Sequence, residues 1–351
     1  MILPESKEIP VNLLAACFNK TSATYKFYWF ISILQSIEKG NLMIYKKELF
    51  SRMISNSWYT VNYFNISFGK QDLIQDAIRA INILENITID EKREIVFQKL
   101  LSSTKIETQK TLWHFNKNVP HWFLSPWFPK NGNETDSVRE KRIYSQSQSF
   151  NNNCPYSLYL DYIVINPEWV DYLISNSKVL KDFCFWNLAL FLQSKNPNVP
   201  DIPNKLIKQA TRNGLTRQRI QFWDIVIEEL GSVKCIYTGK ELTKGNYAVE
   251  HFIPYSFVSH DLIWNLIPAD KSFNSSKSNK LPLLDKYFDP FYSLQNKAFQ
   301  IISMRTPKNK LLEDYLTVFP NLQNNLIQAK FKEIIQPLVS IASNNGFEFM
   351  K

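Results

Sequence analysis

Within residues 235–282, CIYTGKELTKGNYAVEHFIPYSFVSHDLIWNLIPADKSFNSSKSNKLP, reactive side chains stand closer together than anywhere else in this chain. At the centre, Glu250 and His251 are flanked by Val249, Phe252 and Ile253, a β-branched and aromatic setting that predicts a short strand. A loop over 255–263 leads to a second predicted strand over 264–267, pairing back on the first. Pro268, Ala269 and Asp270 then read as a helix start, with Asp270 as its N-cap. Asn274 and Lys277 lie three residues apart on that helix and share a face, which can pack over the hairpin and close on Glu250 and His251.

The chemistry open to this set is metal-assisted hydrolysis of a phosphodiester. A divalent cation needs oxygen ligands and open positions, and Glu250 with the amide oxygen of Asn274 supplies them. Neighbouring strand residues point to opposite faces, so His251 is not expected to chelate beside Glu250. An imidazole with an ordinary pKa of about 6.5 suits a general base on water. Asn265 does no acid–base work, but its amide can bond the loop backbone and orient His251. Lys277 is expected to clamp phosphate. Alone, a Glu-His pair on a strand, an Asn in a turn or an Asn in a Ser- and Lys-rich run is commonly structural. It is their order and spacing together that favour a site. His260 and Asp261 are assigned to loop and helix capping.

The succession Glu-His, Trp-Asn-Leu and Asn-Ser-Ser-Lys-Ser-Asn-Lys-Leu-Pro resembles the HNH endonucleases of the ββα-metal superfamily. The resemblance makes His251 the first motif residue and general base, Asn265 the central, loop-orienting Asn, and Asn274 a metal ligand at the last position. Glu250 stands where that family most often carries Asp as the other ligand, and Lys277 matches a basic residue one turn beyond the last ligand. The implied cofactor is Mg²⁺, with Mn²⁺ or another transition ion as substitutes. Many relatives hold a structural zinc on two Cys pairs. Here Thr238 replaces the second Cys of the first pair and no Cys follows Asn274, so Cys235 stands alone and no structural zinc is expected.

These residues need a scaffold, and 351 residues suffice for two or three domains. With 44% hydrophobic and 14% aromatic residues the chain is globular and not disordered. A formal charge of +9 suits a polyanionic partner. Cys17, Cys154, Cys184 and Cys235 show no paired spacing, which points to reduced thiols and a cytoplasmic setting. The first ten residues lack a signal-peptide pattern, and no stretch of about 18 apolar residues exists, so no membrane association is expected.

Apolar periodicity predicts helices over 24–38, 45–64, 71–84 and 90–101, with the aromatic run in 25–30 assigned to the core. Residues 130–153 read as an exposed loop, 156–165 as a strand, and 167–174 and 177–193 as helices. Three prolines in 196–203 mark a boundary between a helical recognition or scaffold region, 1–200, and a nuclease domain, 201–351, with its ββα module at 233–282. Lys205, Lys208, Arg212, Arg217 and Arg219 follow with no intervening acid. They lead into a predicted helix over 216–230, and Arg212, Arg217 and Arg219 are expected to contact nucleic acid. Helices over 285–304 and 321–343 should cap the module. The fold class is therefore mainly α with an embedded HNH module, and the expected function is metal-dependent DNA cleavage. By family analogy this belongs to prokaryotic antiviral defence, with the helical half receiving a partner or activating signal. Two alternatives stand beside it, a non-catalytic DNA-binding or assembly protein with a degenerate module and an RNA-cleaving effector.

Overall fold

A computed structural model of the protein describes residues 2–19, 21–207, 214–322 and 325–351. Lys208 and Arg212 lie outside the described residues. The chain divides into two compact units, Met1–Pro197 with Ile202–Ile207, and Asn198–Asp201 with Lys208–Lys351.

The first unit is helical and grows around α1 (Tyr25–Ile37), whose aromatic run leaves almost no polar face. Phe27, Trp29 and Phe30 are buried, and Phe30 stacks on Phe123 at 5.6 Å. Full burial of one such side chain contributes about 1.5–3 kcal/mol, so this run is core. The indole N–H it carries inward is satisfied: Trp29 Nε1 donates to the Tyr156 hydroxyl at 3.0 Å, which donates to the Pro120 carbonyl at 2.6 Å. Helix α2 (Lys46–Asn62) packs on α1, followed by α3 (Ile74–Glu85) and α4 (Arg93–Ser102). The expected strand over 156–165 is a hairpin of β2 (Tyr156–Leu158) and β3 (Tyr162–Ile165), and β3 also pairs with β1 (Met43–Tyr45) in the antiparallel order β1-β3-β2.

Residues 130–153 are not a loop throughout. Helix α5 (Asp136–Ser147) occupies their centre, and Thr135 accepts the Val138 N–H as its cap. Two arginines hold it down. Arg139 donates to the Ser125 and Phe128 carbonyls, and Arg142 to the Pro129 carbonyl and the Glu134 carboxylate. Lys205 likewise leaves the expected basic run, being buried in the turn Ile202–Lys205.

One buried cluster makes this unit sensitive to acid. Lys46 Nζ donates to Asn116 Oδ1 at 2.9 Å and to the Tyr144 hydroxyl at 2.8 Å, and burial pushes its pKa down to about 8. Nearby, His121 has a buried Nδ1 without a hydrogen bond, 3.6 Å from the Glu140 carboxylate. Burial, with the Lys46 charge beside it, lowers the His121 pKa from 6.5 to about 4. Between those values the unfolded chain binds a proton that the folded chain refuses, so stability falls as pH drops through this window. The expected loss is on the order of 3 kcal/mol. Urea unfolding at near-neutral and acid pH should show it, and His121→Gln should remove most of the difference.

The second unit opens with a helix assembled from Thr216–Gln218, a π-turn at Arg219–Trp223 and Asp224–Leu230. Two hairpins follow. In the first, β4 (Val233–Lys234) pairs with β5 (Glu241–Leu242) across a turn where Gly239 takes a φ of +71°, which favours glycine. The Cys235 N–H donates to the Lys240 carbonyl and the Gly239 N–H to the Cys235 carbonyl, at 2.8 and 2.9 Å. In the second, β6 (Ala248–His251) pairs antiparallel with β7 (Leu266–Ala269), setting Glu250 against Ile267 and His251 against Leu266. The second strand thus starts later than expected, because Ile263–Asn265 forms a 3₁₀ turn and Pro268 sits in the strand opposite Val249.

Asp270 caps the short helix Lys271–Lys277, accepting from the Ser272 and Phe273 N–H groups. Two long helices, Leu284–Arg305 and Gln328–Asn344, then back the hairpin. Phe291 stacks on Phe252 with ring centres 3.8 Å apart. Gln295 Nε2 donates to the Ile263 and Leu266 carbonyls, while its Oε1 accepts from the Tyr315 hydroxyl. Leu281 pairs with the chain end: its N–H donates to the Glu348 carbonyl and its carbonyl accepts from the Met350 N–H.

Candidate active site

Strand β6 sends its last two side chains to different partners, as the alternation of a strand requires. Glu250 faces the short helix Lys271–Lys277, where Lys277 Nζ donates to its Oε1 at 2.8 Å and to the His251 carbonyl at 2.7 Å. This overturns the expectation that Lys277 reaches out to phosphate. Its side chain is wholly buried, and the ammonium makes an ion pair inside the hairpin–helix junction. Burial lowers the Lys277 pKa from the ordinary lysine value, with the Glu250 charge opposing that shift.

His251 faces the loop. Its Nε2 lies 2.9 Å from Asp261 Oδ1 and 3.2 Å from the His260 carbonyl oxygen. Both are acceptors, so the hydrogen-bond partners assign the proton of the neutral ring to Nε2 and the basic lone pair to Nδ1. A carboxylate at that distance also stabilises the imidazolium that forms when Nδ1 takes a proton. Asp261 was therefore undervalued as a cap. Nothing in its sequence context marks it, because the loop path that brings it to His251 is set from elsewhere. Gln218 Nε2 donates to the Asp261 carbonyl, and the Ile263 N–H donates to Asp314 Oδ2 at 2.9 Å, fifty-one residues along the chain.

Asn265 is fully buried and spends its amide on one residue. Its Oδ1 accepts the Ile253 N–H and its Nδ2 donates to the Ile253 carbonyl, both at 2.9 Å, while the Phe252 N–H donates to the Asn265 carbonyl at 2.8 Å. The chain leaving His251 is thereby held on both sides. The bonds of Asn265 thus go to the backbone of Phe252 and Ile253, next to His251.

Asn274, one turn before Lys277, carries a buried Oδ1 with no hydrogen-bond donor. An orphaned carbonyl oxygen is costly unless something electropositive meets it, and a cation or its water would do so. Among the described residues no group of three or more His, Cys, Asp or Glu gathers at metal-binding spacing. The expected donors, the Glu250 carboxylate and the Asn274 amide oxygen, are of the kind that suits a hydrated Mg²⁺ taking further oxygens from water. Cys235 is buried, its thiol accepting the Asp270 N–H at 3.4 Å, and Tyr237 stacks on Phe273 at 4.6 Å to seat the turn on the short helix.

Of the other expected contacts, Arg217 is exposed and bonds Gln221, whereas Arg219 reaches the Gly245 carbonyl and lies 5.3 Å over the Tyr247 ring. The structure brings together Glu250, Lys277 and the His251 backbone on one side of β6, and His251, Asp261 and the loop on the other. Comparison with protein families matches residues 235–283 to the HNH endonuclease family. Comparison with curated proteins and with solved structures gives no match.

Proposed function

We propose that the HNH endonuclease module of this chain hydrolyses phosphodiester bonds of DNA with the help of a divalent cation, Mg²⁺ in the first place. The observation that carries the reading is the oriented His251: Asp261 engages its Nε2 at 2.9 Å, and Asn265 pins the backbone that follows it. His251 takes a proton from water as the water oxygen bonds to phosphorus, and the bond from phosphorus to the leaving oxygen breaks. Asp261 stabilises the imidazolium so formed. Glu250 and Asn274 would hold the cation, and Lys277 keeps Glu250 in place. When bound, that cation supplies neutralisation of the charge developing on phosphate and leaving oxygen.

Arg217 and Arg219 would contact the phosphate backbone. By analogy with the family, the activity serves prokaryotic defence in the cytoplasm, with the helical first unit receiving a protein partner or activating signal. The test is cleavage of circular duplex DNA by purified protein with Mg²⁺ or Mn²⁺, against EDTA and a matched RNA duplex. Metal-dependent nicking or linearisation is expected. Asn274→Leu should raise the metal concentration needed for half-maximal cleavage by at least about tenfold, the scale of loss when a group that supports a bound metal is removed.

A second reading rests on one observation, the Lys277 ammonium that already neutralises Glu250. It makes the module a non-catalytic DNA-binding element. A wild-type protein that binds DNA but stays inert with every divalent ion would favour it, and cleavage confined to RNA would point to an RNA-cleaving effector.

A further inference from the structure

A second feature of the same unit faces solvent without an assigned role. The helix start at Thr216–Gln218, its π-turn and the loop 306–310 border an open surface cavity of about 680 Å³. Arg217, Lys308 and Lys310 line it and are all exposed, while Ile220, Ile225 and Pro307 give it an apolar floor. None of the three cations forms an ion pair with a described residue. Their neighbours do: Arg305 pairs with Glu229 at 2.7 Å and Lys244 with Glu228 at 2.8 Å. The three around the cavity present their charge to solvent, with Asp314 the carboxylate that feels Arg217.

The cavity wall is continuous with the catalytic loop. Gln218, next to Arg217, donates to the Asp261 carbonyl, and Asp261 holds His251. Asp314, whose carboxylate feels the Arg217 charge, holds the Ile263 N–H at the end of that loop. Asn309 Nδ2 donates to the Gln221 carbonyl at 2.7 Å, which fixes the lysine-bearing loop to the helix.

We propose that this cavity seats the phosphodiester backbone of the nucleic acid on one flank of the cleavage point, with Lys308 and Lys310 as phosphate contacts beside Arg217. Three exposed cations lining a concave, partly apolar surface fit backbone phosphates with their attached sugars. The inference rests on the nuclease reading for its substrate but not for its measurement.

Fluorescence anisotropy with a labelled DNA duplex tests it, using full-length His251→Ala as the parent so that no probe is cut. Over about 50 to 200 mM NaCl, the slope of log affinity against log salt should fall by about 2 in Lys308→Gln/Lys310→Gln, one unit per lost phosphate contact. Lys308→Glu/Lys310→Glu should weaken binding at least about tenfold at the low-salt end. Thermal melts matching the parent establish that both variants are folded. Unchanged affinity and slope, or a parent that does not bind DNA, would overturn the proposal. A wild type that is inert toward DNA while its parent variant shows the expected slopes would sink the nuclease reading and leave this surface standing.

Discussion

His251→Ala should lower the rate of phosphodiester cleavage by about 10²- to 10⁴-fold, the range lost when a positioned general base is removed. The imidazole is the only proton acceptor that this hairpin presents with an orienting carboxylate, Asp261 at 2.9 Å from Nε2. Alanine removes the basic Nδ1 and leaves the Glu250–Lys277 pair, the Asn265 contacts and the exposed cations untouched. The defect should therefore appear in the chemical step, with DNA affinity close to wild type. Asp261→Asn keeps the shape of the loop but removes the charge opposite Nε2, and it should give a smaller loss. Single-turnover cleavage of an end-labelled duplex, with affinity measured in parallel, separates the two effects. Cleavage by His251→Ala at the wild-type rate would remove His251 from the mechanism.

The other large effect concerns stability. Lys277→Met leaves the Glu250 carboxylate buried without its counter-charge and removes the ammonium donor from the His251 carbonyl. Breaking a buried pair from one side costs about 3–5 kcal/mol. In EDTA the variant should melt well below wild type. Excess Mg²⁺ should restore much of the loss, because a cation held by Glu250 supplies the missing positive charge, and this recovery should exceed any stabilisation of the wild type by the same ion. Glu250→Gln added to Lys277→Met should restore stability without metal, since no buried charge then remains. A Lys277→Met protein as stable as wild type in EDTA would show that the pair does not hold the junction together.

What the sequence revealed about this unit follows from how local each cause is. Asp270 was readable as a cap because its bonds reach only two and three residues ahead. For Asn265 a bond to nearby backbone was readable because its amide does no acid–base work, whereas its place in a 3₁₀ turn before the strand was not. Lys277 was misread because its spacing fits either an outward clamp or an inward pair. The choice is made by the closeness of helix and hairpin, which no spacing states. Asp261 was read as a cap for a similar reason: its approach to His251 depends on Asp314 and Gln218, neither of them near it in the chain. In the first unit, the helix Asp136–Ser147 was hidden by a polar composition, and its stability comes from Arg139 and Arg142 bonding carbonyls of the preceding segment.

The side chain of Gln295 bears on where this protein can be cut. It satisfies two carbonyls of the hairpin from a helix that begins only after residue 283, and Tyr315 in turn holds its amide. Leu281 closes a backbone pair with Glu348 and Met350. A graft of residues 235–283 into a foreign scaffold would expose Phe252 and strand those polar groups, so the family-matched stretch is not a transplantable cassette. The smallest portable piece must run on to the last residues of the chain.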